Sequence, residues 1–473
     1  LSAAAASLRE LDRRDAAFLA LAVTAGLLAA ISLKLAVVFV AAAGTALLMI
    51  ARPSAFVPLL IASVYFGSIK FGDLTIARLI GPFAFIVAVV TALRNGTWGL
   101  RGSTLHRWIA AYGLLAVASL YWTWDSSGTV ELLFSLTLAV TYMLAIAGLT
   151  RTREDLELAM ATFPFAALAL SLAGLTAFAV YGGAIAAQPL IGDRNFFAAF
   201  LVVAIPPSFA IARGAGPAWL RAVAGAAIVM SVVGIAVSGS QGGMLSLLGV
   251  VLLGALIMPG PRVRKRVATG LLLAAPVIIV AVVLILTAGG PATSGSTREV
   301  AISRSSVDRT NLWQAAWYGY KQSPVVGLGF GGFPAHSADL MLQTPGVDLR
   351  NYNIPRFPQE PHNSYLEALT ALGPLGLLIY LGMIGSAAAT LARVRRRASE
   401  LGEGTIASAS ESLLLSLTGF AIAAFFLSIQ TNRGWWVIFG LTIACARILS
   451  ERDALAQAPA TAAPLVTSGR SSA

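Results

Sequence analysis

Three groups of residues could do chemistry in a chain otherwise dominated by apolar runs. The first is His362, in Gln359-Glu360-Pro361-His362-Asn363-Ser364-Tyr365-Leu366-Glu367. The other two histidines are His106 and His336. A lone histidine is ordinarily structural. This one lies beside Asn363 and carboxylates suited to orienting one ring nitrogen, and an imidazole titrating at about 6.5 suits a general base. The second group is arginine: Arg309, Arg194 in Gly192-Asp193-Arg194-Asn195, and Arg78 inside an apolar run. Guanidinium forks bind phosphate through two parallel hydrogen bonds, so a lipid-linked phosphate or pyrophosphate is the natural ligand. For Arg78, a snorkelling side chain and one facing a polar cavity both fit. The third group is Gly327-Leu328-Gly329-Phe330-Gly331-Gly332. No Gly-Lys-Ser/Thr follows it, so a sharp turn is expected instead of a phosphate loop. Asp73, Asp125 and Asp193 lie far apart in sequence, and no His/Cys/Asp cluster suggests a metal.

Composition decides what must hold these groups. The 473 residues are 57% hydrophobic and 11% charged, with a mean hydropathy of +0.80. A soluble fold needs more charge to cover its surface. Hydrocarbon cannot hydrogen-bond a backbone, so spanning segments are helices or a closed barrel. The apolar runs at 222–237 and 270–286 do not alternate as barrel strands do. The expected fold class is an all-α integral membrane protein with about 12–14 transmembrane helices. Cys445 is the only cysteine, so there is no intramolecular disulfide, and it reads as a buried small residue. The net charge of +12 lies in short basic clusters between apolar runs. That is the pattern of cytoplasmic loops and does not call for nucleic acid.

The expected span cores are 16–32, 35–50, 56–67, 74–93, 108–124, 130–149, 158–181, 196–211, 222–237, 244–258, 270–287, 373–391, 413–429 and 435–449. The first follows Arg13-Arg14 without a small-residue cleavage site and reads as a signal anchor. With a cytoplasmic N-terminus, the inner connections hold Arg52, Arg94, Arg101, Arg107, Arg151 and Arg153. Further along they hold Arg213, Arg221, Arg262, Arg264, Lys265, Arg266, Arg393, Arg395, Arg396 and Arg397. The short outer connections hold little beyond Lys34, Lys70, Arg194 and Arg433. Both termini are then cytoplasmic. Five segments result: a cytoplasmic tail 1–15, a first helix bundle 16–288, a large outer loop 289–363, C-terminal helices 364–452 and a disordered cytoplasmic tail 453–473. Within the loop, 310–321 reads as an amphipathic helix with Leu312, Trp313, Ala316, Trp317 and Tyr320 on one face. Asp308 or Thr310 would cap it and Pro324 end it. A place at the headgroup level and ordinary packing against the bundle both suit it. No pair of matching broken helices marks a transporter.

Three blocks carry a resemblance: Arg309-Thr310-Asn311-Leu312-Trp313, Ser323-Pro324-Val325-Val326-Gly327-Leu328-Gly329, and Pro361-His362-Asn363-Ser364-Tyr365-Leu366-Glu367. Leu372-Gly373-Pro374-Leu375-Gly376 and, more loosely, Gly192-Asp193-Arg194-Asn195 and Pro206 extend it. The stretch from Gly192 to about Leu391 resembles the O-antigen ligase and polymerase superfamily of membrane glycosyltransferases. The resemblance implies a GT-C-like helical fold with one long periplasmic loop containing short helices. It implies an inner-membrane enzyme that uses no metal or other cofactor. The enzyme would transfer a glycan from undecaprenyl pyrophosphate to an acceptor hydroxyl, such as that of lipopolysaccharide core, at the periplasmic face. Its partners would be a lipid-linked oligosaccharide donor, a glycolipid or glycan acceptor and the bilayer. His362 would be the catalytic base and Arg309 would hold the pyrophosphate, joined by Arg194, Arg78 and Gln241, with Asn363, Glu360 and Tyr365 in support. The family often carries Ser-Arg-Gly where this chain has Ser240-Gln241-Gly242. Gln241 donates hydrogen bonds but brings no charge, leaving Arg194, Arg78 or Arg433 to supply it.

Within the family the alternatives are a polymerase of lipid-linked repeat units and an enzyme that glycosylates protein. Outside it stand a transporter or flippase for a lipid-linked saccharide and a purely structural membrane protein. A transporter would tolerate His362→Ala and depend on polar residues in mid-span; a transferase reverses that weighting.

Overall fold

The structure, a computed structural model, describes residues 52–67, 70–71, 74–94, 96, 100, 102–181, 193–257, 296–347 and 358–457. The expected spans 16–32, 35–50 and 270–287, the basic stretch 262–266 and most of the C-terminal tail lie outside the described residues. Residues 1–56 and 57–473 form two compact units. Described residues of the first comprise Arg52, a 3-10 turn at Pro53–Ala55 and the first residue of helix α1 (Phe56–Tyr65).

Among the described residues, the regular structure of the second unit is helical apart from one hairpin. In it β1 (Lys70–Phe71) pairs antiparallel with β2 (Leu74–Thr75). The helices are α2 (Ile76–Arg94), α3 (Leu105–Ala118), α4 (Ser126–Leu149), α5 (Arg153–Tyr181), α6 (Arg194–Ala212), α7 (Ala218–Ser238) and α8 (Gln241–Ile257). After them come α9 (Ser296–Gln322), α10 (Gly332–Gln343), α11 (Ser364–Glu400), α12 (Gly404–Ala423) and α13 (Arg433–Gln457). Among the described residues seven of these, α4 to α7 and α11 to α13, are long and apolar enough to cross a membrane. This is an all-α integral membrane protein.

At the centre stands α13, packed against α4, α11 and α12, with Trp435, Trp436 and Phe439 fully enclosed. Lipid is as apolar as a leucine side chain, so helices associate here through close packing and hydrogen bonds. Gly440 lets α13 approach α4, where a Cβ would stand 2.9 Å from the Met143 carbonyl oxygen. Gly419 does the same for α12 on α6, with Val202 2.7 Å away.

The helices run alternately, and this sorts the charges to two poles. At one pole Glu411 of α12 bonds Arg213, past the end of α6, at 2.7 Å and Arg395 of α11 at 3.4 Å. Arg395 also donates to the last carbonyl of α8, Ile257, at 2.8 Å. Arg397 pairs with Asp453 at 2.7 Å. Buried Arg447 donates to the Ala147 and Thr150 carbonyls, where α4 ends. A cation at a helix C-terminus meets the negative end of the macrodipole.

The other pole is capped by carboxylates and amides. Asp125 starts α4, Asp193 starts α6 and Asn363 starts α11, each accepting from backbone N–H groups of the first turn. Gly373 and Pro374 kink α11 there, with Gly373 at φ 68. Pro374 has no N–H, and the bend frees carbonyls one turn back. Leu328 N–H takes the Thr370 carbonyl at 2.8 Å and Gly329 N–H takes Ala371 at 2.9 Å. The glycine run is therefore a sharp turn, as expected, and these two of its amides are spent on α11. Gly327, Gly329 and Gly331 all have positive φ. Thr370 Oγ1 adds a bond to the Ala316 carbonyl at 3.3 Å, tying α9 directly to α11.

Two expectations need correcting. The helix expected at 310–321 begins fourteen residues earlier, at Ser296, so Asp308 and Thr310 lie inside it and do not cap it. Pro324 does follow its end closely. The 373–391 span begins at Ser364, because the kinked turn before Gly373 is still helical.

Candidate functional site

At the capped pole, residues from three distant segments converge. The Asp193 side chain caps α6, its Oδ1 accepting from Asn195 N at 2.7 Å and Phe196 N at 3.0 Å. This holds Arg194 in the first turn of α6, at the positive end of the helix dipole. Arg309 approaches from mid-α9, held by the buried Leu312, Ala315 and Ala316 that seat α9 on α10. His362 approaches from the turn before α11.

These groups are close enough to shift one another. Burial lowers the proton affinity of the Arg309 guanidinium, Asp193 opposes this and Arg194 reinforces it. Burial also lowers the His362 imidazole below its usual range; Arg309 adds to the effect and Asp193 works against it. A neutral imidazole beside a guanidinium pair can accept a proton. Among the described residues neither Arg309 nor Arg194 forms an ion pair, since Asp193 turns its carboxylate to the helix amides. Two half-buried like charges of this kind are stabilised by an anion between them.

His362 has φ 52, making it the one non-glycine residue with positive φ among the described residues. Such a backbone costs about 1–3 kcal/mol and persists only where its surroundings impose it. Pro361 before it is buried, and Gln359 N–H bonds Ser337 Oγ of α10 at 3.1 Å. Glu360 keeps an exposed surface, yet nearby protein raises its carboxyl above the usual carboxylate range; the exposure argues for a modest displacement.

The other expected site residues take different stations. Asn363 Oδ1 accepts from Tyr365 N and Leu366 N, both at 3.1 Å, so it caps α11 and its carbonyl is not free to orient the imidazole. Tyr365 donates its hydroxyl to the Ala421 carbonyl at 2.6 Å and packs its ring 4.5 Å from Phe425, fastening α11 to α12. Gln241 is exposed at the first turn of α8. The residue before it, Ser240, donates to Asn195 Oδ1 at 2.9 Å, which brings the α8 N-terminus to the Arg194 corner. The Arg433 guanidinium lies over the Tyr142 ring, 5.6 Å from its centroid. Arg78 belongs to α2, and its side chain lies outside the described residues. Among the described residues, Arg194 lies close enough to Arg309 to shift it.

Residues 226–381 match the family model described as O-antigen ligase. That stretch is similar to O-antigen ligases. The match spans about a third of this multi-pass membrane chain and supports kinship with the O-antigen ligase superfamily. None of the curated proteins matches the chain. The matched stretch takes in Gln241, Arg309 and His362; Asp193 and Arg194 lie before it. Asp193 lies among these groups, although the sequence offered it only within a motif and as one of three aspartates too far apart to suggest a metal. Its acid in front of an apolar run was readable as a cap, but its charge beside His362 was not.

Proposed function

We propose that this protein is an O-antigen ligase-like glycosyltransferase, acting on a glycan linked to undecaprenyl pyrophosphate. The convergence of Arg309 and Arg194 beside a neutral His362 carries this reading. The acceptor hydroxyl attacks the anomeric carbon of the donor sugar. The C–O bond to the pyrophosphate breaks, and the electron pair leaves with the lipid pyrophosphate. His362 takes the proton from the attacking hydroxyl. The arginines, with the N-termini of α6 and α8, stabilise the departing anion. That leaving group needs no protonation, so one base and fixed positive charge suffice. The acceptor in this reading is a glycolipid such as lipopolysaccharide core, and the reaction requires no metal.

The arginine-rich pole faces the cytoplasm in this reading and the His362 pole faces the periplasm of the inner membrane, in line with the positive-inside rule. Residues 289–363 are then the periplasmic loop, between helix groups 16–288 and 364–452, with tails 1–15 and 453–473 in the cytoplasm.

The test is reconstitution with a lipid-linked oligosaccharide and two acceptors, lipid A core and a second lipid-linked unit, with and without EDTA. Transfer to lipid A core, undiminished by EDTA, is expected. Chain extension on the second lipid alone would make the protein a polymerase, and loss of activity in EDTA would overturn metal independence.

A further inference from the structure

His362 adopts a left-handed backbone that only its surroundings can impose, and those surroundings are hydrogen-bonded in detail two residues later. Every polar group of Ser364 is engaged by the connection between α12 and α13. Its N–H donates to the Ala424 carbonyl at 2.8 Å. Its hydroxyl donates to the Leu427 carbonyl at 2.7 Å and accepts from Ile429 N at 2.8 Å. Its carbonyl accepts from Gln430 Nε2 at 3.1 Å. The Gln430 amide is itself oriented, because its Oε1 accepts from the Tyr112 hydroxyl of α3. Trp436 Nε1 donates to the Gln430 backbone carbonyl at 2.9 Å. Ser364, Gln430, Tyr112 and Trp436 are all buried.

Burying so many polar groups is unfavourable unless each is paired, and these groups of Ser364 and Gln430 are paired. An apolar packing of the same volume would hold α11 against α12 without that requirement. What the hydrogen bonds add is direction: they fix where α11 begins and hence how the chain turns at His362. We infer that Ser364 and Gln430, with Tyr112 behind them, are positioning residues that hold the His362 imidazole at the acceptor hydroxyl. The inference rests on His362 being the base. Among the described residues neither hydrogen-bonds Arg309 or Arg194, so the clamp acts on turnover and spares donor binding. A reacting group misplaced by about 1 Å costs on the order of a hundredfold in rate.

Three variants test this in the full-length protein, alongside His362→Ala. Ser364→Ala removes both hydroxyl bonds. Gln430→Leu removes the amide. Tyr112→Phe removes a single hydroxyl and keeps the packing. The readouts are kcat, KM and Kd for the lipid-linked donor, and thermal stability in detergent. The expected result is a fall in kcat of about 10–100-fold for Ser364→Ala and Gln430→Leu, with donor Kd within about twofold. Tyr112→Phe falls less, with stability unchanged. The inference is overturned if Tyr112→Phe and Gln430→Leu keep wild-type kcat while His362→Ala is inactive. It is overturned equally if kcat and donor binding fall together in step with lost stability. An active His362→Ala removes the base assignment itself and the clamp's role with it, an outcome distinct from the other two.

Discussion

At the scale of single residues, the proton affinity of His362 is set by opposed neighbours. Burial and Arg309 lower it, and Asp193 raises it. If the neutral imidazole is the base, kcat/KM falls as pH drops through the value for the free protein. That acid limb lies below about 6.5, the ordinary histidine value. Arg309→Gln removes a lowering charge and moves the limb upward. Asp193→Asn, which keeps a good helix cap, removes a raising charge and moves it downward. A pH–kcat/KM series on the three proteins checks both directions; limbs that stay put would mean that another group titrates. The types of these residues were legible in the sequence: one histidine at a span boundary, and arginines suited to phosphate. What Asn363 does was not legible. Next to a histidine it reads as a partner for the ring, yet in space its carbonyl caps α11. Both uses draw on the same side-chain oxygen, and sequence does not say which neighbour reaches it first.

At the scale of elements, the glycine turn and the kink in α11 depend on each other. The kink exposes the Thr370 and Ala371 carbonyls, and the turn supplies their donors. At Gly327, with φ +74, an added Cβ would stand 2.6 Å from Ala371 backbone atoms. Gly327→Ala therefore combines an unfavourable φ with a backbone clash. It should destabilise the protein by about 1–3 kcal/mol, read as a lowered unfolding midpoint in detergent. An unchanged midpoint would mean that the turn moves freely of α11. Some of this was legible. Glycine spacing without Lys-Ser/Thr announced a turn, Pro324 announced the end of α9, and Gly373-Pro374 announced a change of direction. The start of α9 was not, because residues 296–308 are polar and show no apolar face to count. The bonds of Ser364 were also hidden, since its partners are 60 to 66 positions away in the chain and a serine beside a cap motif carries no periodic signal.

At the scale of the whole molecule, alternating helices put Arg213, Arg395, Arg397 and Arg447 at one pole and Arg194, Arg309 and His362 at the other. The separation agrees with the loop charges that the sequence displays, and the all-α membrane character was the most legible feature. Orientation in the cell is checked by two introduced thiols in a Cys445→Ala background. Gly216→Cys, in the exposed connection after α6, should react only with reagents from the cytoplasmic side. Gln343→Cys, exposed at the end of α10, should react with impermeant reagents from outside. The reverse pattern would invert the proposed topology.

The central claim is that binding and chemistry are divided at one pole, with arginines holding the lipid pyrophosphate and His362 moving the proton. Its most direct measurement is a comparison of donor affinity and turnover in reconstituted wild type, Arg309→Lys and His362→Ala. The account predicts donor binding close to wild type with turnover reduced by about 10²–10⁴-fold for His362→Ala. For Arg309→Lys it predicts weakened donor binding, because lysine lacks the two-pronged fork. Wild-type turnover in His362→Ala would contradict it.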